Sequence, residues 1–446
     1  MPDLLITIPP KFSPEIKYTF EILMDEFLGQ SCEFEMKAEV TDFHISGQGI
    51  KPLIIRNIFF NHYLEPTGYL SSTALPRQIV YWTDTSLSLD QLPVLYGQGR
   101  LEETTTDLTL CADIIASSYF MLSRWEETVD KNQDQHQRSS ASSSTAYRYN
   151  YLHRPIVNEY ADLLWTLLIR AGYTGERKKH VFETAVTHDV DRQYQWPNVF
   201  TGIKELGGDL IKRKNLSLFG NNLVSMFRTL GLNQRDPFDQ HNYQMDLAEQ
   251  NGIRACFNFI VSRSDRNDQP LSTRDPRLKN LIRQIELRGH QIGFHPGYDT
   301  YLDYQRFENE LNTLQNLADQ KIEGGRQHFL RFKVPYTWRL WERAGMVWES
   351  SLGYADMPGF RCGSCYSYSV YDCLERKQLS LKEKPLILMD ATLVYYLKSW
   401  DINEVIKLRN QCVLHGGTWM TIWHNDLVGH PLLHQFKKVI YPQTLD

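Results

Sequence analysis

The fold is decided by the stretch Glu183-Thr184-Ala185-Val186-Thr187-His188-Asp189-Val190-Asp191. Its first half is strand-like, because it contains several β-branched residues, and it runs directly into two aspartates. From this point onward, apolar strands alternate with amphipathic helices. Such repeated strand–helix units predict a parallel sheet, which is either open or closed into a barrel.

Turn and cap signals give bounds to the elements around this stretch. Gly252 ends a helix over 244–250, and Asp275 followed by Pro276 is a typical N-cap and first turn. Gly289 then stops the helix that they begin. We therefore predict the following elements: strands over 254–261, 290–295, 330–334 and 418–423, and helices over 155–171, 275–288 and 307–319.

Polar side chains gather at the predicted strand ends. Asp189 and Asp191 end the first strand, His295 ends another with Asp299 four residues later, and His424 follows the last. Each of them alone also fits a helix cap or a strand-end hydrogen bond. Because the carboxyl ends of parallel strands meet at one edge, the set predicts a hydrolytic metal site there.

This ordered set resembles the polysaccharide deacetylase family, whose catalytic region is called the NodB homology domain. The likeness covers residues 182–446. The segment Thr187-His188-Asp189-Val190-Asp191 is similar to the first family motif, in the variant with one residue between the aspartates. His295 with Asp299 resembles the second motif, and Ile422-Trp423-His424 resembles the fifth.

The resemblance implies a role for each of these residues. Asp189 would be the general base, and His424 would be the general acid. Asp191, His295 and Asp299 would hold one divalent metal ion. We expect Zn²⁺, with Co²⁺, Ni²⁺ and Fe²⁺ as the alternatives.

The third family motif supplies an arginine before a proline. Arg331 is the best match, with Arg326 as a nearby competitor, and the arginine would orient Asp189. The backbone amide of Tyr298 would help to stabilise the oxyanion. The segment 353–361 stands in the place of the fourth motif without its usual form. We expect four residues to bind substrate: Tyr298, Pro335, Tyr336 and Arg361.

The resemblance divides the chain into two domains. Residues 181–446 would form the catalytic domain, a distorted (β/α) barrel of the polysaccharide deacetylase type. Residues 1–180 resemble the smaller α/β accessory module that precedes it in a bacterial subgroup, on the segments 120–127 and 154–160. A long insertion between residues 192 and 240 either covers the mouth of the site or is extra structural helix.

Composition excludes several classes of protein. The formal net charge of −5 gives no sign of a nucleic-acid or membrane-surface partner. No apolar run reaches the roughly 18 residues of a membrane span. The seven cysteines are scattered, and the N-terminus lacks the pattern of a signal peptide. The sequence therefore predicts a cytoplasmic protein.

Together these features predict a metal-dependent hydrolase that removes N-acetyl groups from a carbohydrate or a glycoconjugate precursor. One alternative keeps the same metal site but hydrolyses another amide or an acetyl ester. The other alternative is a catalytically inactive carbohydrate-binding protein, which would lack a well-formed pair of base and metal. The sugar, its carrier and the oligomeric state are left open.

Overall fold

A computed structural model describes residues 4–399, 401–430 and 433–445. The chain contacts divide it into two compact units. The first unit comprises the chain up to Glu183 together with Leu330–Ile387 and Leu408–Trp419. The second comprises Thr184–Phe329, Leu388–Lys407 and the chain from Met420 onward. Within the described ranges, no helix is both long enough and apolar enough to span a bilayer.

Both units mix strands and helices. The strands are β1 Leu4–Ile8, β2 Cys32–Met36, β3 Phe43–Gly47, β4 Leu53–Ile55, β5 Val80–Asp84, β6 Leu89–Val94, β7 Gly97–Glu103, β8 Leu108–Ala112, β9 Glu183–Val190, β10 Cys256–Phe259, β11 Gln291–Phe294, β12 Gly324–Gly325, β13 Trp348–Glu349, β14 Tyr368–Asp372, β15 Lys377–Glu383, β16 Leu388–Met389 and β17 Thr418–Ile422. The α-helices are α1 Ser13–Phe20, α2 Ile114–Ser123, α3 Glu126–Val129, α4 Thr145–Arg148, α5 Ile156–Arg170, α6 Val199–Ile211, α7 Leu216–Met226, α8 His241–Gln250, α9 Pro276–Leu287, α10 Tyr304–Gln315, α11 Tyr336–Arg343, α12 Ile402–His415, α13 Asn425–Val428 and α14 Tyr441–Gln443.

The first unit contains a six-stranded sheet in the order β2-β1-β3-β4-β8-β7. Its pairs β1–β2 and β4–β8 are parallel, and the other pairs are antiparallel. Strands β5 and β6 form a separate antiparallel pair, and β14, β15 and β13 lie side by side in that order. All ten residues of α2 are buried, which makes this helix part of the core of the unit.

The second unit is built on strands in the order β12-β11-β10-β9-β17-β16. The pairs β9–β10, β10–β11, β11–β12 and β16–β17 are all parallel, as the alternating pattern predicts. None of the strand pairs in the described ranges closes this row into a ring. The fold is therefore mixed α/β with several sheets, and the distorted barrel stays a prediction.

Most predicted elements are confirmed, with ends that move by a few residues. Asp275 caps α9 through its side chain, which accepts a hydrogen bond from the amide of Arg277. Gly172 follows α5 with φ +100, a conformation that suits glycine.

The predicted strand over 330–334 is wrong. The strand in this part of the chain is the earlier β12, whose Gly325 lies directly against β11. A Cβ on Gly325 would come within 1.9 Å of the carbonyl oxygen of Phe294, so only glycine allows this approach. A pair of glycines carries no β-propensity, and local sequence therefore did not reveal the strand.

Candidate active site

The candidate site lies where the strands of the second unit end. Asp189 is the second-last residue of β9, and Asp191 directly follows that strand. His295 follows β11, Arg326 follows β12 and His424 lies two residues after β17. The row of parallel strands therefore gathers these side chains at one edge.

Asp189 is buried and held by two donors. Its Oδ1 accepts hydrogen bonds from Arg326 Nη1 at 2.9 Å and from Asn258 Nδ2 at 2.7 Å. Arg326 also donates to Thr187 Oγ1 at 2.8 Å, which fixes the guanidinium against β9. Burial raises the pKa of Asp189, but the charges of Arg326, His295 and His424 together outweigh burial, and the pKa ends below its usual value. Asp189 is therefore an ionised carboxylate with a fixed orientation.

Strand register brings Asn258 to Asp189. The two residues are direct partners in the parallel β9–β10 ladder. On the other side of β10, Gly293 leaves space for the amide, because a Cβ there would lie 1.9 Å from Asn258 Oδ1. A larger residue at position 293 would push Asn258 away from the carboxylate.

Asp191, His295 and His328 form a compact cluster of possible metal ligands. One donor atom from each lies within 4.8 Å of the others. His295 Nε2 lies 3.0 Å from Asp191 Oδ1, and His328 Nε2 lies 3.5 Å from Asp191 Oδ2. A tetrahedral zinc ion with bonds of about 2.1 Å separates its ligands by about 3.4 Å. The observed spacing fits such an ion.

The outer nitrogens of both imidazoles are already engaged. His295 Nδ1 donates to the backbone oxygen of Arg326 at 2.6 Å, and His328 Nδ1 donates to Asp268 Oδ1 at 2.7 Å. When these rings are neutral, the proton is on Nδ1, and the Nε2 lone pair of each ring can bind a metal ion. Carboxylate or carbonyl partners of this kind are the usual support of metal-bound histidines.

Asp191 provides the test of whether these residues suit a cation. Its Oδ1 is buried and faces His295 Nε2 at 3.0 Å. A carboxylate oxygen facing an imidazole lone pair is unfavourable unless a positive charge lies between them. One carboxylate and two imidazoles are also a ligand set of catalytic zinc, and the same set holds Fe²⁺ in other proteins. The donor set fits a divalent ion.

Without a metal ion, protons compensate the charge of this cluster. Burial lowers the pKa of His328, but Asp191 and Asp268 outweigh burial and raise it to about 9. Burial likewise raises the pKa of Asp191, and the neighbouring His328 and His295 bring it well below its usual range. A metal ion would have to displace the proton of His328, so metal affinity should fall as the pH is lowered.

His424 is paired with a carboxylate that the sequence had not indicated. Its Nδ1 lies 2.6 Å from Asp390 Oδ1, and its backbone amide donates to Asp390 Oδ2 at 2.6 Å. Burial lowers the pKa of His424, but the carboxylates of Asp390, Asp191 and Asp189 together outweigh burial, and the pKa ends well above the usual value. The opposite nitrogen, Nε2, lies 3.9 Å from Asp191 Oδ2. His424 is therefore an imidazolium held in a fixed orientation.

The structure brings together four of the ten site residues predicted in 181–446, namely Asp189, Asp191, His295 and His424. In the cluster of possible ligands, His328 stands where Asp299 was predicted. The amide of Asp299 donates to Ser264 Oγ at 3.0 Å. The amide of Tyr298, predicted to help the oxyanion, donates to Asp268 Oδ1 at 3.0 Å.

The arginine that meets Asp189 is Arg326, the competitor, and not Arg331. The reason is the position of β12, which ends directly before Arg326. Arg331 lies in the first unit and donates to the backbone oxygen of His136 at 3.1 Å and to Gln137 Oε1 at 2.8 Å.

Three predicted substrate contacts also lie in the first unit: Pro335, Tyr336 and Arg361. Tyr336 is partly exposed, at 41%. Arg361 is buried, and its Nε donates to Glu127 Oε1 at 2.9 Å while its Nη1 donates to the Gly353 carbonyl at 2.7 Å. The roles of Tyr298, Pro335, Tyr336 and Arg361 in substrate binding stay predictions.

Sequence reasoning missed four side chains of this site: Asn258, Asp268, His328 and Asp390. For two of them, the position in the sequence could have indicated a place in the site. His328 comes two residues after Arg326, and Asp390 directly follows the apolar run 386–389, as catalytic residues at strand ends do. Asn258 and Asp268 gave no such signal.

Comparisons with known proteins reach only part of the chain. A family of unknown function (DUF7033) matches residues 4–172. This is less than half of the chain. No curated protein matches the sequence.

A crystal structure of a "putative polysaccharide deacetylase" from Mycobacterium smegmatis is similar at 17% identity, over 61% of this chain and 86% of that one, with a TM-score of 0.37. So low a TM-score carries no argument about fold or activity. Any functional assignment therefore rests on the side-chain geometry of the candidate site.

Proposed function

We propose that this protein is a metal-dependent hydrolase that removes N-acetyl groups from a carbohydrate or a glycoconjugate precursor. One observation carries the proposal. An ionised, oriented Asp189 lies beside a ligand cluster that suits a divalent ion, and a charged His424 lies at the same cluster, with its Nε2 3.9 Å from Asp191. A base, a metal ion and an acid are the three components of metal-assisted amide hydrolysis.

Asp191, His295 and His328 would hold the ion, for which Zn²⁺ is our first choice. When bound, such an ion supplies Lewis acidity toward the acyl oxygen and makes a water molecule acidic near neutral pH. Asp268 and the carbonyl of Arg326 would keep both imidazoles in the required tautomer.

Asp189 would take the proton from the attacking water. Its Oδ1 is bonded to Arg326 and Asn258, which leaves Oδ2 for the water. Oδ2 lies 3.8 Å from His295 Nε2, close to the ligand cluster without being part of it. Arg326 would fill the orienting role that the sequence predicted for Arg331.

His424 would give a proton to the departing amine through Nε2. Asp390 holds Nδ1 of the same ring, so the ring cannot turn and the proton-donating nitrogen stays directed toward the cluster. A carboxylate that orients a histidine and stabilises its charged form is a recurring device in hydrolases.

We also propose that residues 1–180 form a separate module, without assigning it a reaction. The family match over residues 4–172 supports this boundary. The compact first unit is larger, because it also includes Leu330–Ile387 and Leu408–Trp419.

Two alternatives can be distinguished from this proposal: a hydrolase with another substrate and an inactive binding protein. The same residues could hydrolyse another amide or an acetyl ester, which would appear as acetate release from esters but not from N-acetyl sugars. An inactive binding protein is disfavoured, since such a protein has no use for a charged, buried Asp189 beside a possible metal site.

Elemental analysis of the purified protein tests the proposal first. We expect about one equivalent of a divalent metal per chain, lost in the Asp191→Ala and His295→Ala double variant. Acetate release from a panel of N-acetylated sugar conjugates should follow the metal content. Absence of metal after loading with zinc, or equal acetate release by the double variant, would contradict the proposal.

Replacing Asp390 with asparagine should shift the pH dependence of catalysis. Asp390 stabilises the His424 imidazolium, so its loss lowers the pKa of His424 and deprotonates the acid at lower pH. We expect the alkaline limb of kcat/KM to move down by at least about one pH unit. The acid limb, which Asp189 would govern, should stay in place. An unmoved alkaline limb in metal-saturated protein would exclude His424 as the acid.

A further inference from the structure

The insertion after Asp191 forms a helical hairpin, residues 199–232, made of α6, α7 and the π-helical turn Phe227–Gly231. Its inner face is well packed. Asn222 donates to Asp209 Oδ2 at 2.8 Å and accepts from Gln195 Nε2 at 3.1 Å, and all three residues are buried. Gly202 lets Met226 approach, since a Cβ at that position would lie 2.2 Å from the sulfur. The two helices therefore have a defined inner and outer side.

The outer side is unusually apolar. On α6, Phe200, Ile203 and Ile211 share one helical face, because spacings of three and eleven residues return to the same side. Phe200 is 81% exposed and Ile211 is 77% exposed. The remaining exposed large apolar residues of the hairpin are Val199, Leu210, Leu216, Leu223, Val224, Phe227, Leu230 and Leu232. Clusters of this kind on a protein surface indicate an interaction site.

The hairpin also differs in charge from the rest of the protein. It contains five basic and two acidic residues, a formal charge of +3, whereas the whole chain carries −5. Both acids are paired: Glu205 with Arg192 and Arg213, and Asp209 with Arg213. The exposed lysines Lys204, Lys212 and Lys214 lie among the exposed apolar side chains.

We propose that this hairpin docks the protein onto the surface of a membrane that contains anionic lipids. An amphipathic helix with large apolar residues on one side and lysines beside them is the typical surface-binding element of peripheral proteins. Each lysine near an anionic bilayer adds to the attraction. A second copy of the chain is a poorer occupant, because two hairpins of charge +3 would repel each other.

The hairpin is connected to the candidate site. Arg192, the residue after Asp191, pairs with Glu205 on α6 at 3.2 Å. A docked hairpin would hold this part of the chain close to the bilayer, where a sugar on a lipid carrier is presented. This choice of substrate rests on the proposed function, whereas membrane binding does not.

Vesicle sedimentation of the full-length chain tests the docking. With vesicles containing about 30% phosphatidylglycerol in phosphatidylcholine, we expect binding that pure phosphatidylcholine does not support. The triple variant Phe200→Ser, Ile203→Ser and Phe227→Ser should lower the partition coefficient at least about tenfold. The charge variant Lys204→Glu, Lys212→Glu and Lys214→Glu should lower it by a similar factor or more.

The control is the double variant Leu64→Ser and Leu287→Ser, which removes two exposed apolar residues outside the hairpin. It should bind like the parent chain, and circular dichroism should show the same melting for all variants. Failure of the parent chain to bind either vesicle, or equal loss in the control, would overturn the proposal. So would equal binding to both vesicle types, or a parent dimer that the triple variant converts to a monomer while vesicle binding persists. None of these measurements uses enzymatic activity, so each outcome is independent of the proposed reaction.

Discussion

Replacing Asp189 with asparagine is expected to lower the turnover number by about 10³-fold while the metal content stays at about one equivalent. Asparagine keeps an oxygen that can accept from Arg326 and Asn258, so the side chain should stay in place. It cannot accept the proton of the attacking water at neutral pH. Acetate release at saturating substrate, measured beside elemental analysis, separates the loss of the base from the loss of the metal.

The variant also leaves the buried guanidinium of Arg326 without its carboxylate, which we expect to lower the melting temperature. A matched control is Asp299→Asn, which changes a carboxylate of the same unit outside the ligand cluster. It should retain most of the activity. Full turnover by Asp189→Asn, in protein with normal metal content, would remove Asp189 from the role of base.

The second large effect concerns His328, the proposed third metal ligand. His328→Ala is expected to lower metal affinity at least about a hundredfold and to abolish turnover, whereas Asp299→Ala should keep the metal. The reason is the cluster itself, in which His328 Nε2 lies 3.5 Å from Asp191. Competition with a chromogenic chelator measures the affinity of each variant.

Asp268→Asn provides a graded comparison. Asp268 accepts from His328 Nδ1, and removing its charge should lower the affinity by about 10–100-fold, between the other two variants. The opposite pattern, with metal lost in Asp299→Ala and kept in His328→Ala, would return the third ligand to Asp299 as the sequence had predicted.

The hairpin, in which lysines lie among exposed apolar residues, shows why the net charge of the whole chain can hide a local interaction surface. A net charge of −5 gave no sign of a membrane-surface partner, yet residues 199–232 carry +3. Averaging over 446 residues hides a local excess of this size. Periodicity could not help either, since an apolar helical face has the same pattern whether it is buried or exposed.

By itself, the sequence determined the alternation of strands and helices and the residues that end the strands. Asp189, Asp191, His295 and His424 could be found in this way, because β-propensity, glycine stops and helix caps act over a few neighbouring residues. Only the tertiary structure decided which further polar groups converge on them. Asp268 meets His328 across 60 residues, and Asp390 meets His424 across 34. Contacts of this range depend on strand order and register, and on close approaches that Gly293 and Gly325 allow. No local pattern encodes those distances, and for that reason the proposed third ligand, the arginine partner of Asp189 and the carboxylate partner of His424 came from the fold.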